Sequence, residues 1–78
     1  MKKTEFYTIK YKLFGHPYFE IVNGTFREEA NAMNRAKEMI QDQSVSDVVV
    51  HKRKGYKSAK IYSFSNGFEC VYMNRQLA

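Results

Sequence analysis

A chain of 78 residues has room for one small domain, residues 1–78, and buries only about 60% of the surface its unfolded form exposes. Its composition, 44% hydrophobic and 27% charged, is that of an ordinary globular protein, and a single cysteine, Cys70, excludes a disulfide-stapled secreted scaffold. The net charge of +5 favours acidic partners and argues against a nucleic-acid mimic, whose surface must be rich in carboxylates.

The opening "MKKTEF" is basic, but no apolar run follows it, so it does not read as a signal peptide. No window approaches the roughly 18 apolar residues that a membrane-spanning helix needs, and a cytoplasmic location is expected. From Glu5 to Phe14 the residues alternate: Tyr7, Ile9, Tyr11 and Leu13 on one side, Thr8, Lys10 and Lys12 on the other. That pattern predicts a half-buried strand. "GHP" (Gly15-His16-Pro17) breaks it, because Pro17 cannot donate to a ladder. A second strand is expected from Tyr18 to about Asn23, closing a hairpin, with its inward face undecided. "NGT" at Asn23 fits a glycosylation sequon, which a protein that is not secreted cannot use, so it reads as a turn.

The period then changes. Thr25 and Glu28 have capping-box spacing, and Glu28 and Glu29 suit the positive end of a helix. Phe26, Ala30, Met33, Ala36 and Ile40 form an apolar stripe opposite Glu28, Asn31, Arg35, Glu38 and Asp42. The expectation is an amphipathic helix of about four turns, its methionines in the core. "QDQSVS" ends it. "DVVVHK" predicts a third strand, and the unbroken Val48-Val49-Val50 points to burial on both faces or a central place in the sheet. "RKGYKS" reads as a connection. "AKIYSFS-NG-FECVYMNR" then reads as a hairpin whose Asn66-Gly67 suits a type I′ turn, with both positions at positive φ. The expected fold is α+β and two-layer: one amphipathic helix on a mainly antiparallel sheet of four or five strands, in the order β-β-α-β-β-β.

Strict alternation along the last hairpin puts Ala59, Ile61, Ser63, Phe68, Cys70 and Tyr72 on one face. Lys60, Tyr62, Phe64, Glu69, Val71 and Met73 then share the other. Neither set is polar, and one helix covers only one face. The second set, flanked by charges, is the expected exposed face. Twelve aromatic rings, six Tyr and six Phe, are in any case too many for so small a core. The leading functional expectation is a small non-catalytic binding protein, a regulator or inhibitor of another protein or a homodimer, acting through Tyr62, Phe64 and Met73. The alternative is a nucleic-acid-binding protein that grips phosphates with Lys52, Arg53, Lys54, Lys57 and Lys60, with Tyr56, Tyr62 and Phe64 as stacking rings. Lys10 and Lys12 extend that patch if the strand order allows. A third possibility is that the first hairpin or the C-terminal "NRQLA" covers the face.

No enzymatic chemistry is expected. Asp47 and His51 fall on one side of a strand but about 13 Å apart, with no oxyanion site, and Cys70 reads as a small buried residue. His16, His51 and Cys70 are scattered without metal-ligand spacing, and Gly15, Gly24, Gly55 and Gly67 each stand alone, outside any phosphate-binding fingerprint. No metal, cofactor or small-molecule substrate is expected. The outer face of the helix carries Glu28, Arg35, Glu38 and Asp42 where a membrane-binding helix needs lysines, and the helix contains no diagnostic family motif.

Overall fold

The structure, a computed structural model, describes residues 4–77. The elements run β1 (Glu5–Leu13), β2 (Glu20–Ile21), α1 (Glu29–Met39), β3 (Val45–Lys54), β4 (Lys57–Ser65) and β5 (Phe68–Val71). They form one five-stranded sheet in the order β2-β1-β3-β4-β5, with every neighbouring pair antiparallel. One helix packs on this sheet, over β1 and β3. This is the predicted α+β plan in the predicted order.

The alternation in β1 does what it should: Tyr7 and Ile9 are buried, and Tyr11 and Leu13 pack against the same core. β3 is longer than "DVVVHK" and lies at the centre of the sheet. Val48 and Val50 are fully buried on the helix side, and Val49, at 7% exposure, is buried on the other. On α1 the innermost residues are Ala32 and Ala36, small enough to let the helix lie close to the sheet, with Met33, Met39 and Ile40 beside them. Ala30 is exposed, contrary to expectation, because a period of 3.6 through Ala32 and Ala36 leaves it on the outer side.

Two local expectations fail for one reason. The backbone of Phe26 pairs with Tyr7 (Tyr7 N to Phe26 O 2.7 Å, Phe26 N to Tyr7 O 3.0 Å), which holds the chain extended beside β1. The helix therefore starts only at Glu29, spans 11 residues rather than four turns, and has Glu28 as its N-cap, without a side-chain cap hydrogen bond. Thr25 lies outside it, and the capping box does not form. β2 is likewise cut to two residues. Tyr18 stands outside the sheet, next to Pro17.

The last hairpin keeps the predicted turn, with Asn66 at φ 50° and Gly67 at φ 85°, and pairs Ser65 with Phe68, Phe64 with Glu69 and Tyr62 with Val71. Its two faces divide as expected from Tyr62 to Val71, but the residues before Tyr62 change sides and the choice of open face is overturned. Between β3 and β4 the pairs are Val50–Tyr62 and then His51–Lys60, so Ile61 is an extra residue, a β-bulge. Ile61 and Tyr62 both enter the core, at 0% exposure, and Phe64 packs against them. The face expected to be open is the one under α1. Beyond β5, Arg75 reaches back to Glu29 of α1 (Nη1 to Oε2 2.6 Å) and donates from Nε to the Tyr72 carbonyl at 3.2 Å. Leu77 lines a shallow hollow together with Lys54, Tyr56 and Lys57. No helix among the described residues is long and apolar enough to cross a membrane.

Candidate nucleic-acid interface on the open sheet face

Residues directly opposed in register share a face, so the pairings write out the uncovered side of the sheet row by row. Phe6, Arg53 and Ser58 make the first row, and Thr8, His51 and Lys60 the second. Ile21, Lys10, Val49, Ser63 and Cys70 make the third. Lys12, Asp47, Ser65 and Phe68 make the fourth. No helix lies on this side. Four basic side chains, from β1, β3 and β4, share it with a histidine, and Asp47 is the sole carboxylate of these rows.

Each side chain is held by identifiable contacts. Phe19, just before β2, lies beneath two lysines, its ring centre 4.8 Å from Lys10 Nζ and 5.4 Å from Lys12 Nζ. Lys60 Nζ stands 5.6 Å over the ring of Tyr72, whose hydroxyl is 3.2 Å from Ser63 Oγ. Such exposed cation–π contacts contribute about 0.5–1 kcal/mol each. Arg53 donates from Nε to Thr8 Oγ1 at 2.9 Å. Val49 is buried although no element covers it.

The two titratable groups of β3 lie in opposite environments. Burial pushes the Asp47 carboxyl up, but hydrogen bonds from Ser46 (2.6 Å) and Ser65 (2.7 Å) and the Lys12 ammonium at 3.8 Å outweigh it, so the group sits below its usual range. The His51 imidazole is also held below its usual value, first by burial and then by Lys10, Arg53 and Lys60. Asp47 thus neutralises Lys12. Among the described residues no ion pair joins Lys10, Arg53 or Lys60 to a carboxylate.

The residues singled out from sequence are divided by this geometry. Residues 52–60 are not a loop but two paired strands joined at Gly55 (φ 63°) and Tyr56. A glycine at positive φ in the first central position is what a two-residue hairpin turn demands. Alternation sends Arg53 and Lys60 to the open face, and Lys52, Lys54 and Lys57 to the helix side, where Lys52 pairs with Glu5 at 3.4 Å. Tyr56 stands at the turn tip, 86% exposed, and Met73 beyond β5, 92% exposed. Tyr62 is in the core and offers no ring to a ligand, and Phe64 is half-buried against that core. Lys10 and Lys12 do join the patch, because β1 lies next to β3. Thr8, Phe19, His51 and Tyr72 were missed. The outward set Thr8, Lys10, Lys12 was visible in the β1 alternation, but its neighbours depend on strand order. Cys70, expected to be buried, is exposed, because it falls on the uncovered face.

Two hollows lie near these residues. One, of 180 Å³, is lined by Thr8, Ile9, Lys10, Ile21, His51 and Arg53 on the open face. A larger cleft, 680 Å³, lies between the end of α1 and the β1–β2 side and has Arg35, Glu38 and Asp42 at its rim. No protein-family model matches the chain, and no curated protein and no solved structure matches it.

Proposed function

We propose that this protein is a non-catalytic nucleic-acid-binding protein that takes a single strand across the open face of its sheet. The observation that carries this is the grouping of Lys10, Arg53 and Lys60 around His51 on an uncovered sheet, with the one carboxylate there already engaged by Lys12. Cations on three adjacent strands match the phosphates of an extended chain. Phe19 and Tyr72 at the two margins of the patch supply rings beside them, the combination that single-strand binders use. The leading expectation from sequence, a protein interface built on Tyr62, Phe64 and Met73, is weakened because Tyr62 is buried and Phe64 half-buried, although Met73 is exposed.

Fluorescence anisotropy with short single-stranded and duplex oligonucleotides at several salt concentrations tests this. Three to four phosphate contacts on a single strand give a slope of about −2 to −3 in log K against log salt. Lys10→Ala and Lys60→Ala should each reduce that slope by close to one contact. Absence of binding at low salt, or binding indifferent to salt, removes the reading.

Self-association is a second reading, favoured by β5: this edge strand and its sequel expose Phe68 (80%), Val71 (52%) and Met73 (92%). Light scattering across a concentration series tests it. A monomer throughout excludes the homodimer.

A further inference from the structure

We propose that Thr8, Lys10, His51 and Arg53 form a subsite that seats one phosphate group of the bound strand. This rests on the reading of the open face as a polyanion surface, and it fixes where on that face one charge is read. The four residues line a single hollow of 180 Å³, far larger than the ~30 Å³ share of one water, so a tetrahedral oxyanion fits. Thr8, Lys10 and Arg53 are engaged with neighbours but keep donors to spare. The Thr8 hydroxyl already accepts from Arg53 Nε at 2.9 Å, which leaves its own proton to donate outward. The guanidinium keeps its remaining N–H groups and Lys10 its ammonium, while the set contains no acceptor-only group to repel an anion.

Occupation of the subsite makes binding proton-linked. His51 lies opposite Thr8 of β1 and opposite Lys60 of β4, with Lys10 of β1 and Arg53 of its own strand as further cations. Asp47 is the only acid on that strand face and is tied to Ser46, Ser65 and Lys12. In the free protein partial burial first, and then these cations, hold the imidazole below its usual value. A bound phosphate reverses the local sign of charge and raises the basicity of His51, and the imidazolium then donates from both ring nitrogens. The sign follows from linkage: a group more basic in the complex than in the free protein makes affinity higher at low pH. Affinity falls as pH rises through the value in the complex.

The test is an NMR titration of the His51 ring and the backbone amides against pH. It is run on the free protein, with inorganic phosphate (against chloride at equal ionic strength), and with a short thymidine oligonucleotide. The expected result is a His51 titration midpoint raised by both ligands, with amide shifts centred on Thr8, Lys10, His51 and Arg53. Oligonucleotide affinity should rise about tenfold for each pH unit by which the midpoint moves. His51→Gln, its fold checked by circular dichroism, should abolish that pH dependence. Strand binding that is salt-dependent but leaves His51 unmoved overturns the subsite and spares the functional reading. Phosphate binding at these residues without strand binding supports the subsite and removes nucleic acid as the ligand. If neither ligand shifts these residues, the subsite is overturned.

Discussion

The Tyr62 side chain is fully buried and its hydroxyl donates to Glu69 Oε2 at 2.5 Å; burial first, and then this carboxylate, hold the phenol well above its usual range. A ring so placed is structural. Tyr62→Ala should destabilise the domain by about 3–5 kcal/mol, the cost of a large buried aromatic removed from a core that cannot collapse around it. Urea denaturation of the variant measures this, and a loss under 1 kcal/mol would mean that the ring is dispensable to the core. Asp47 gives the residue-level pH dependence. Its carboxyl is below the ordinary 3.8 in the folded chain, so the stability it contributes is complete above that value. That contribution is lost as pH falls through the depressed folded value. Asp47→Asn should therefore flatten the acid limb of a plot of Tm against pH below about 4 and leave the curve above neutral parallel to the parent's. Asp42, lowered by hydrogen bonds from the Ser44 side chain and backbone, keeps part of that limb in the variant. An unchanged limb would show that the Ser46, Ser65 and Lys12 contacts to Asp47 do not persist in solution.

The β4–β5 hairpin separates what a turn requires from what a strand requires. Gly67 sits at φ 85° with open space where a Cβ would stand, so Gly67→Ala meets no clash and only the backbone resists it. The expected loss is about 1–2 kcal/mol, read from thermal or denaturant unfolding, with the native fold retained. A neutral result would place the turn in another conformation. This turn was legible because Asn-Gly carries its own dihedral preference. The β1 alternation and the amphipathic helix were legible because each pattern repeats often enough to outweigh any one position. The bulge was not: inserting Ile61 reverses the phase of a two-residue period, and the adjacent apolar pair Ile61-Tyr62 was its one trace. The capping box failed because a tertiary contact, the Phe26–Tyr7 bridge, outweighed a local signal. Part of the candidate site was legible in the same way. Arg53 and Lys60 were within the basic run, but Lys10 met them only through a strand order that no local feature encodes.

Cations on the two sides of the sheet have different neighbours. On the helix side Lys52 meets Glu5 and Arg75 meets Glu29, whereas on the open side the cations nearest His51 have rings or a hydroxyl for neighbours. Such an arrangement costs stability, and the cost has a definite pH window. Because the His51 imidazole is below its ordinary 6.5 when folded, the unfolded chain binds the proton more readily. Stability therefore falls as pH drops from that ordinary value to the lowered folded one. Lys60 is directly opposed to His51 across the strands, so its charge contributes to this loss. Lys60→Met keeps an apolar chain over the Tyr72 ring and removes the charge. At about pH 5 the variant should be more stable than the parent by roughly 0.2–1 kcal/mol, the range for like charges opposed across strands. The difference should shrink above neutral pH, where His51 is uncharged. It should shrink again at about 1 M salt, where screening acts over about 3 Å. The same variant should bind a single strand more weakly at every pH. Denaturant unfolding and anisotropy on one preparation read both effects. A variant that is more stable and binds less tightly identifies the cations around His51 as a surface maintained at the expense of stability, as binding sites commonly are. A variant less stable at both pH values would instead assign Lys60 to the packing of Tyr72, and leave the open face without that reason for its charge.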